Sequence, residues 1–243
     1  MPLKGKIKMA KYKRILLKLS GEALAKGADG ILNFDFIAEV ASKIKKCYDD
    51  GVQIAIVVGG GNIWRGKTGT QISRTRSDHI GMLATVINSL AVQTGLENAG
   101  IPAVTMTAIP MQQIAEPYVR DKAVAHLESG KAVIVACGSG NPFFSTDTAA
   151  ILRAVELDAD IALFAKNIDG VYTADPKKDP TAKKLDSISY NDILKNDLAV
   201  IDSTAAALGR ENSLPILLFG LNEPANIISA VNGEKLGTIV NNF

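Results

Sequence analysis

Val52-Gln-Ile-Ala-Ile-Val-Val58-Gly59-Gly60-Gly61-Asn62 is a near-continuous apolar run that ends in three glycines and an amide. A run without regular polar alternation reads as a strand covered on both faces, the kind that builds parallel sheets. Similar runs lie at Ile15–Leu19, Ala103–Met106, Ala132–Ala136, Ile161–Ala165 and Ile216–Phe219. Between them, Phe34–Asp50, His79–Ala99, Arg120–Ser129 and Thr148–Leu157 have helical period and length. Strands alternating with helices predict an α/β fold, with a mainly parallel sheet covered by helices on both faces.

The chain has 243 residues, of which 47% are hydrophobic, enough for one large packed domain. It shows no internal repeat, low-complexity tract or break in composition. One domain over residues 1–243 is expected, with the part from about Ala159 able to form its own lobe. The longest apolar stretches are too short to span a bilayer, and the Lys-rich segment Met1–Arg14 is not followed by a signal-peptide core. A cytoplasmic protein with no membrane partner is expected. Two cysteines, Cys47 and Cys137, make neither a disulfide framework nor a metal cluster, and two histidines, His79 and His126, are too few for a zinc site. No protein-held metal is expected. A net charge of +2 gives no footprint for nucleic acid.

In parallel sheets, ligands collect beyond the carboxyl ends of the strands. Three glycines at Gly59–Gly61 permit positive φ and let backbone N–H groups converge on an anion, with Arg65 as a guanidinium fork. Gly61-Asn-Ile-Trp-Arg-Gly66-Lys67-Thr68 also spells a P-loop, but helical periodicity resumes only near Asp78, so the context fails. Lys18 stands inside an apolar strand before Ser20-Gly21, where it either meets phosphate at the ligand end or snorkels from an edge. Ser139-Gly-Asn-Pro-Phe-Phe-Ser-Thr-Asp147 follows another apolar run. It reads as a recognition loop, or as a turn capped by Ser145, Thr146 or Asp147. Lys166-Asn167, Tyr172 and Asp175 surround an Asp169-Gly170 turn that either holds a nucleotide or simply packs.

Lys18-Leu-Ser-Gly21, Gly59-Gly-Gly-Asn62 with Arg65, Gly140-Asn-Pro-Phe-Phe-Ser-Thr-Asp147 and Asp169-Gly-Val-Tyr-Thr-Ala-Asp-Pro176 together resemble the amino-acid kinase superfamily. Within it they are similar to the bacterial uridylate (UMP) kinases, from Tyr12 to Val240. The resemblance implies a three-layer αβα sandwich and magnesium-dependent transfer from ATP to UMP. It also implies a homohexamer with GTP as activator and UTP as inhibitor, although Ala25-Lys-Gly-Ala-Asp-Gly30 departs from the Gly-Phe-Gly-type segment of some GTP-activated members.

Carried over by motif, Lys18, Leu19, Ser20, Gly21 and Gly61 would meet the ATP phosphates, with Arg65 near the transferred group. Lys166, Asn167, Tyr172 and Asp175 would receive the rest of ATP; either Lys166 or Asn167 makes the contact at that strand end. UMP would lie on Gly60, Asp78 and Ser139, Gly140, Asn141, Pro142, Phe143, Phe144, Ser145 and Thr146. Lys18, Arg65 and Asp147 are the expected catalytic set. The resemblance implies that the part up to about residue 158 binds UMP and the rest binds ATP. Competing readings are a superfamily kinase acting on a carboxylate, and a non-catalytic nucleotide- or oxyanion-binding protein on the same fold.

Overall fold

The computed structural model describes residues 10–27, 29–65, 71–174, 176, 178–196, 198 and 200–243. Strand β1 (Arg14–Leu19) leads through a single turn, α1 (Gly21–Leu24), to helix α2 (Phe34–Asp49), strand β2 (Gln53–Val58) and the long helix α3 (Arg74–Asn98). There follow β3 (Ala103–Thr107), β4 (Glu116–Pro117), α4 (Arg120–Glu128), β5 (Ala132–Ala136) and α5 (Thr146–Glu156). The last third contains β6 (Ile161–Lys166), a small hairpin of β7 (Val171–Tyr172) and β8 (Lys184–Leu185), and β9 (Ser187–Ser189) with α6 (Tyr190–Lys195). It ends in α7 (Ser203–Glu211), β10 (Ile216–Gly220), α8 (Asn226–Val231) and β11 (Thr238–Asn241).

Among the described residues the main sheet has nine strands in the order β4-β3-β5-β2-β1-β6-β10-β11-β9. Every neighbouring pair is parallel except β10 with β11. The strands of the last third thus extend the sheet begun by the first two. β1 sits between β2 and β6, so the winding changes direction there, and a crevice opens beyond its carboxyl end.

Side chains of a strand alternate between faces, and the two cores show it. Ile15, Leu17 and Leu19 pack with α2, α3 and α8, through residues such as Ile44, Leu96 and Ile227. Leu16 packs on the other face with Ile151 and Ala154 of α5 and Ala205 of α7. The result is helix, sheet, helix: the three-layer αβα sandwich. Lys18 shares the face of Leu16 and therefore points toward α5.

The strand readings hold to within one residue at each end, while two helices begin earlier than their apolar period suggested. The first of them, α3, starts at Arg74, five residues before His79, because Ser73 accepts the Arg76 N–H as N-cap. Asp78 is therefore inside the helix and not its cap. Helix α5 starts at Thr146, with Ser145 as the capping residue through its bond to the Thr148 N–H. Among the described residues no helix is long and apolar enough to cross a membrane.

Candidate active site

Six long parallel strands, β3, β5, β2, β1, β6 and β10, deliver their carboxyl ends to one edge, and the loops that leave β1, β2 and β5 meet there. Between them lies a cleft of about 420 Å³. Gly60, Gly61 and Arg65 form one wall, Asp78 and Arg74 of α3 a second, and Ser139, Asn141, Phe144, Ser145 and Thr146 a third. Residues 66–70, including the Gly-Lys-Thr of the P-loop-like string, and Asp175 lie outside the described residues. The next described helix after that string begins at Arg74.

The charged centre adjoins this cleft. Lys18 Nζ lies 3.0 Å from Asp147 Oδ1, and Lys166 Nζ lies 2.9 Å from Asp147 Oδ2. The three come from β1, the first turn of α5 and the end of β6. Their side chains are 11%, 15% and 16% exposed for Lys18, Asp147 and Lys166. Burial works against the charge of Asp147, but the ammonium groups of Lys18 and Lys166 hold its carboxyl below the usual range. Burial pushes Lys166 down, aided by Lys18 and opposed by Asp147. Lys166 is also tied to the Val200 carbonyl. A lone lysine in a buried strand is costly, and this carboxylate offsets the cost for two.

The glycines act by vacating space. None of Gly59, Gly60 and Gly61 has positive φ, contrary to the conformational role expected from sequence. A Cβ on Gly60 would lie 2.9 Å from the Gly81 carbonyl and 3.0 Å from Ala84 Cβ, and one on Gly21 would lie 2.3 Å from the Gly59 carbonyl. The β1 and β2 loops and helix α3 are thus pressed backbone to backbone. Asn88, fully buried on α3, donates to the Gly59 carbonyl and to Asn62 Oδ1, each at 2.7 Å. With that carbonyl engaged from behind, the turn is fixed on the side away from the cleft.

The third wall has left-handed backbone at Cys137, Gly138, Gly140 and Phe143. Two side chains of α3 hold it. Thr85 Oγ1 accepts the Cys137 N–H at 2.9 Å, and Asp78 Oδ2 accepts the Phe143 N–H at 2.8 Å. Asp78 is in turn gripped by Arg74 Nε, 2.9 Å from both of its oxygens. Phe143 and Phe144 remain exposed at 66% and 49%. Gly140, Pro142 and Phe143 share this loop but are absent from the cleft lining.

Arg65 forms an ion pair with Glu22 of α1, whose Oε2 also accepts from Asn167 Nδ2 at 3.2 Å. No local pattern marks Glu22 in the sequence, because a glutamate in a single short turn carries no signal of a partner far along the chain. Tyr172 stands apart on the small hairpin, donating to Asp169 Oδ1 at 2.8 Å, with Lys184 at 3.1 Å from Asp169 Oδ2. It does not line the cleft.

A family model described as the amino acid kinase family matches residues 13–220. The chain belongs to this family. Among solved structures, this amino acid kinase is similar to the UMP kinase from Bacillus anthracis, at 40% identity and a TM-score of 0.91, covering 95% of this chain and 96% of that one. It is similar to the UMP kinase from Ureaplasma parvum at 34% identity and a TM-score of 0.89, over 94% of this chain and 98% of that one. The uridylate kinase from Archaeoglobus fulgidus matches at 28% identity and a TM-score of 0.73, over 93% of this chain and 99% of that one.

Proposed function

We propose that this amino acid kinase is a UMP kinase, transferring the γ-phosphoryl group of ATP to UMP to give UDP and ADP. The observation that carries the reading is the Lys18–Asp147–Lys166 bridge beside a cleft walled by the Ser139–Thr146 loop, in a chain alike over nearly its whole length to UMP kinases. The phosphate of UMP, with a second pKa of about 6, is already an anionic nucleophile at neutral pH. Its oxygen forms the new P–O bond as the bond to the β–γ bridging oxygen breaks, and no side chain needs to take a proton. That suits a site with no histidine: His79 is exposed on α3, and His126 pairs with Glu116 at 3.0 Å, outside the cleft lining.

The remaining work is electrostatic and positional. Two polyanions must approach each other, and Lys18, Lys166 and Arg65 offset their repulsion. Ser20, Gly21, Gly60 and Gly61 supply backbone at the closest approach of the β1 and β2 loops. Asn167, Tyr172 and Asp175 are assigned to the nucleoside end of ATP, and Asn141 and Thr146 to the uracil edge. Among the described residues no cluster of three metal-ligating side chains occurs, and both oxygens of Asp147 are engaged by Lys18 and Lys166. That donor set fits a magnesium ion held mainly by the nucleotide's own phosphates. When bound, the ion would neutralise charge on the phosphoryl oxygens. The homohexamer, GTP activation and UTP inhibition are carried to the chain on resemblance, and a cytoplasmic location on the short apolar stretches and the two cysteines of its sequence.

Uracil and cytosine exchange donor and acceptor at position 4, so CMP would leave a buried polar group unpaired at a cost of about 1–3 kcal/mol. The test is ADP release from Mg-ATP with UMP, CMP, dUMP, acetylglutamate or aspartate, without effector and then with GTP or UTP. Turnover confined to UMP and slow with CMP is the expected outcome; turnover with an amino acid, or none at all, would overturn the assignment.

A further inference from the structure

Helices α5 and α7 come from distant parts of the chain, yet their first residues are joined through a single carboxylate. Asp202 is the N-cap of α7, accepting the Ala205 N–H at 3.0 Å. The same group accepts from the Thr148 hydroxyl at 2.8 Å and from the Ser145 hydroxyl. Ser145 is itself the cap of α5, taking the Thr148 N–H at 3.1 Å. A residue that only capped α7 would explain the bond to Ala205 and nothing else. Here two hydroxyls from another element converge on it, and both helix N-termini present their partial positive charge to one anion.

The consequence lies in the next two residues of α5. Thr146 is in the wall of the cleft, and Asp147 carries the bridge between Lys18 and Lys166. Lys166 is also fastened to the carbonyl of Val200, two residues before Asp202. The short segment 200–202 therefore holds both the lysine and the helix start that supplies its carboxylate partner. Asp202 does not line the cleft. We propose that Asp202 is a positioning residue for the reaction, fixing the first turn of α5 so that Thr146 meets the acceptor and Asp147 stays centred between the two lysines. The inference rests on the kinase reading above, and its test separates the two.

Steady-state kinetics of Asp202→Ala and Asp202→Asn, beside thermal unfolding, make the test. Misplacing reacting groups by an ångström costs on the order of 10²-fold. Asp202→Ala should lower kcat by about 10- to 100-fold and raise KM for UMP about 10-fold, with KM for ATP within about threefold of wild type. Asp202→Asn should recover to within about threefold of wild type, because the amide still caps α7 and a hydroxyl can turn to accept from its N–H.

Wild-type kcat and KM for UMP in a folded Asp202→Ala protein would overturn the proposal. So would equal impairment of both variants, which would mean that the charge itself acts. Should Asp202→Ala fail to fold, Thr148→Val removes a single hydroxyl donor at nearly constant shape. It should lower kcat about 3- to 10-fold while raising KM for UMP; no change in either would overturn the proposal. The same kcat and acceptor-KM comparison applies to whichever acceptor the wild type turns over. Failure of the UMP assignment and failure of the Asp202 role are thereby distinct results.

Discussion

Asp147 and Asp169 each bridge two partners near a strand that ends in the ligand-side edge of the sheet, but their surroundings differ. Asp147 is 15% exposed and lies between two ammonium groups at 3.0 and 2.9 Å; Asp169 is 56% exposed and joins the Tyr172 hydroxyl to Lys184. In both, desolvation opposes the charge and is outweighed, by Lys18 and Lys166 for Asp147, and by Tyr172 and Lys184 for Asp169. Water screens the second cluster and hardly reaches the first. The same residue type with the same number of partners is thus an organising centre in one place and a surface brace in the other.

The comparison breaks most sharply on Asp147→Asn. Removing the carboxylate leaves two buried ammonium groups facing each other, so stability should fall by about 3–5 kcal/mol. Turnover should drop at least on the order of 10³-fold. Denaturant unfolding and steady-state kinetics read both, and a mild effect on each would remove the distinction. Arg65→Ala tests a cation on the exposed side of the cleft, where the guanidinium is 63% exposed and held by Glu22. Turnover should fall on the order of 10²-fold with the fold intact; near-wild-type rates would take Arg65 out of the catalytic set.

The acid side of the stability curve sharpens the same contrast. A carboxyl held below its ordinary range binds fewer protons folded than unfolded, so stability rises with pH through the window below about pH 4. Asp147 should account for most of that slope, and urea titrations of Asp147→Asn between pH 2.5 and 5, as about evenly spaced points, should be flatter than wild type. An unchanged slope would place the acid sensitivity elsewhere. The smallest effect is expected from Asp169→Asn: a stability change under about 1 kcal/mol, and KM for ATP within about threefold of wild type. A large rise in that KM would show that the Asp169 brace, and not Tyr172 alone, sets how the hairpin meets ATP.

Much of this was legible in the chain. The apolar runs located the six long strands, because burial on both faces leaves no polar alternation to blur them. The quoted loops held half of the residues that line the cleft, since turn-forming and hydrogen-bonding types concentrate where strands stop, and much of the rest comes from α3. Other features were not local. Ser73 caps α3 ahead of a first turn with little apolar content, so Asp78 reads from sequence as a helix start and proves to be a brace for the Phe143 amide. Asn88 and Glu22 sit in segments whose pattern is ordinary, and their partners lie 29 and 43 residues away.

The sequence by itself determined the α/β class, the strand ends and the side-chain parity along each strand. Backbone sterics and apolar burial decide these within a few neighbouring residues. Tertiary structure alone decided that β6 pairs with β1, which brings Lys166 onto the face of Lys18, and that α5 lands with Asp147 between them and Asp202 beneath its first turn. The physical reason is that a buried charge is tolerable only when its partner arrives from another element, and a local pattern carries no information about which element that is.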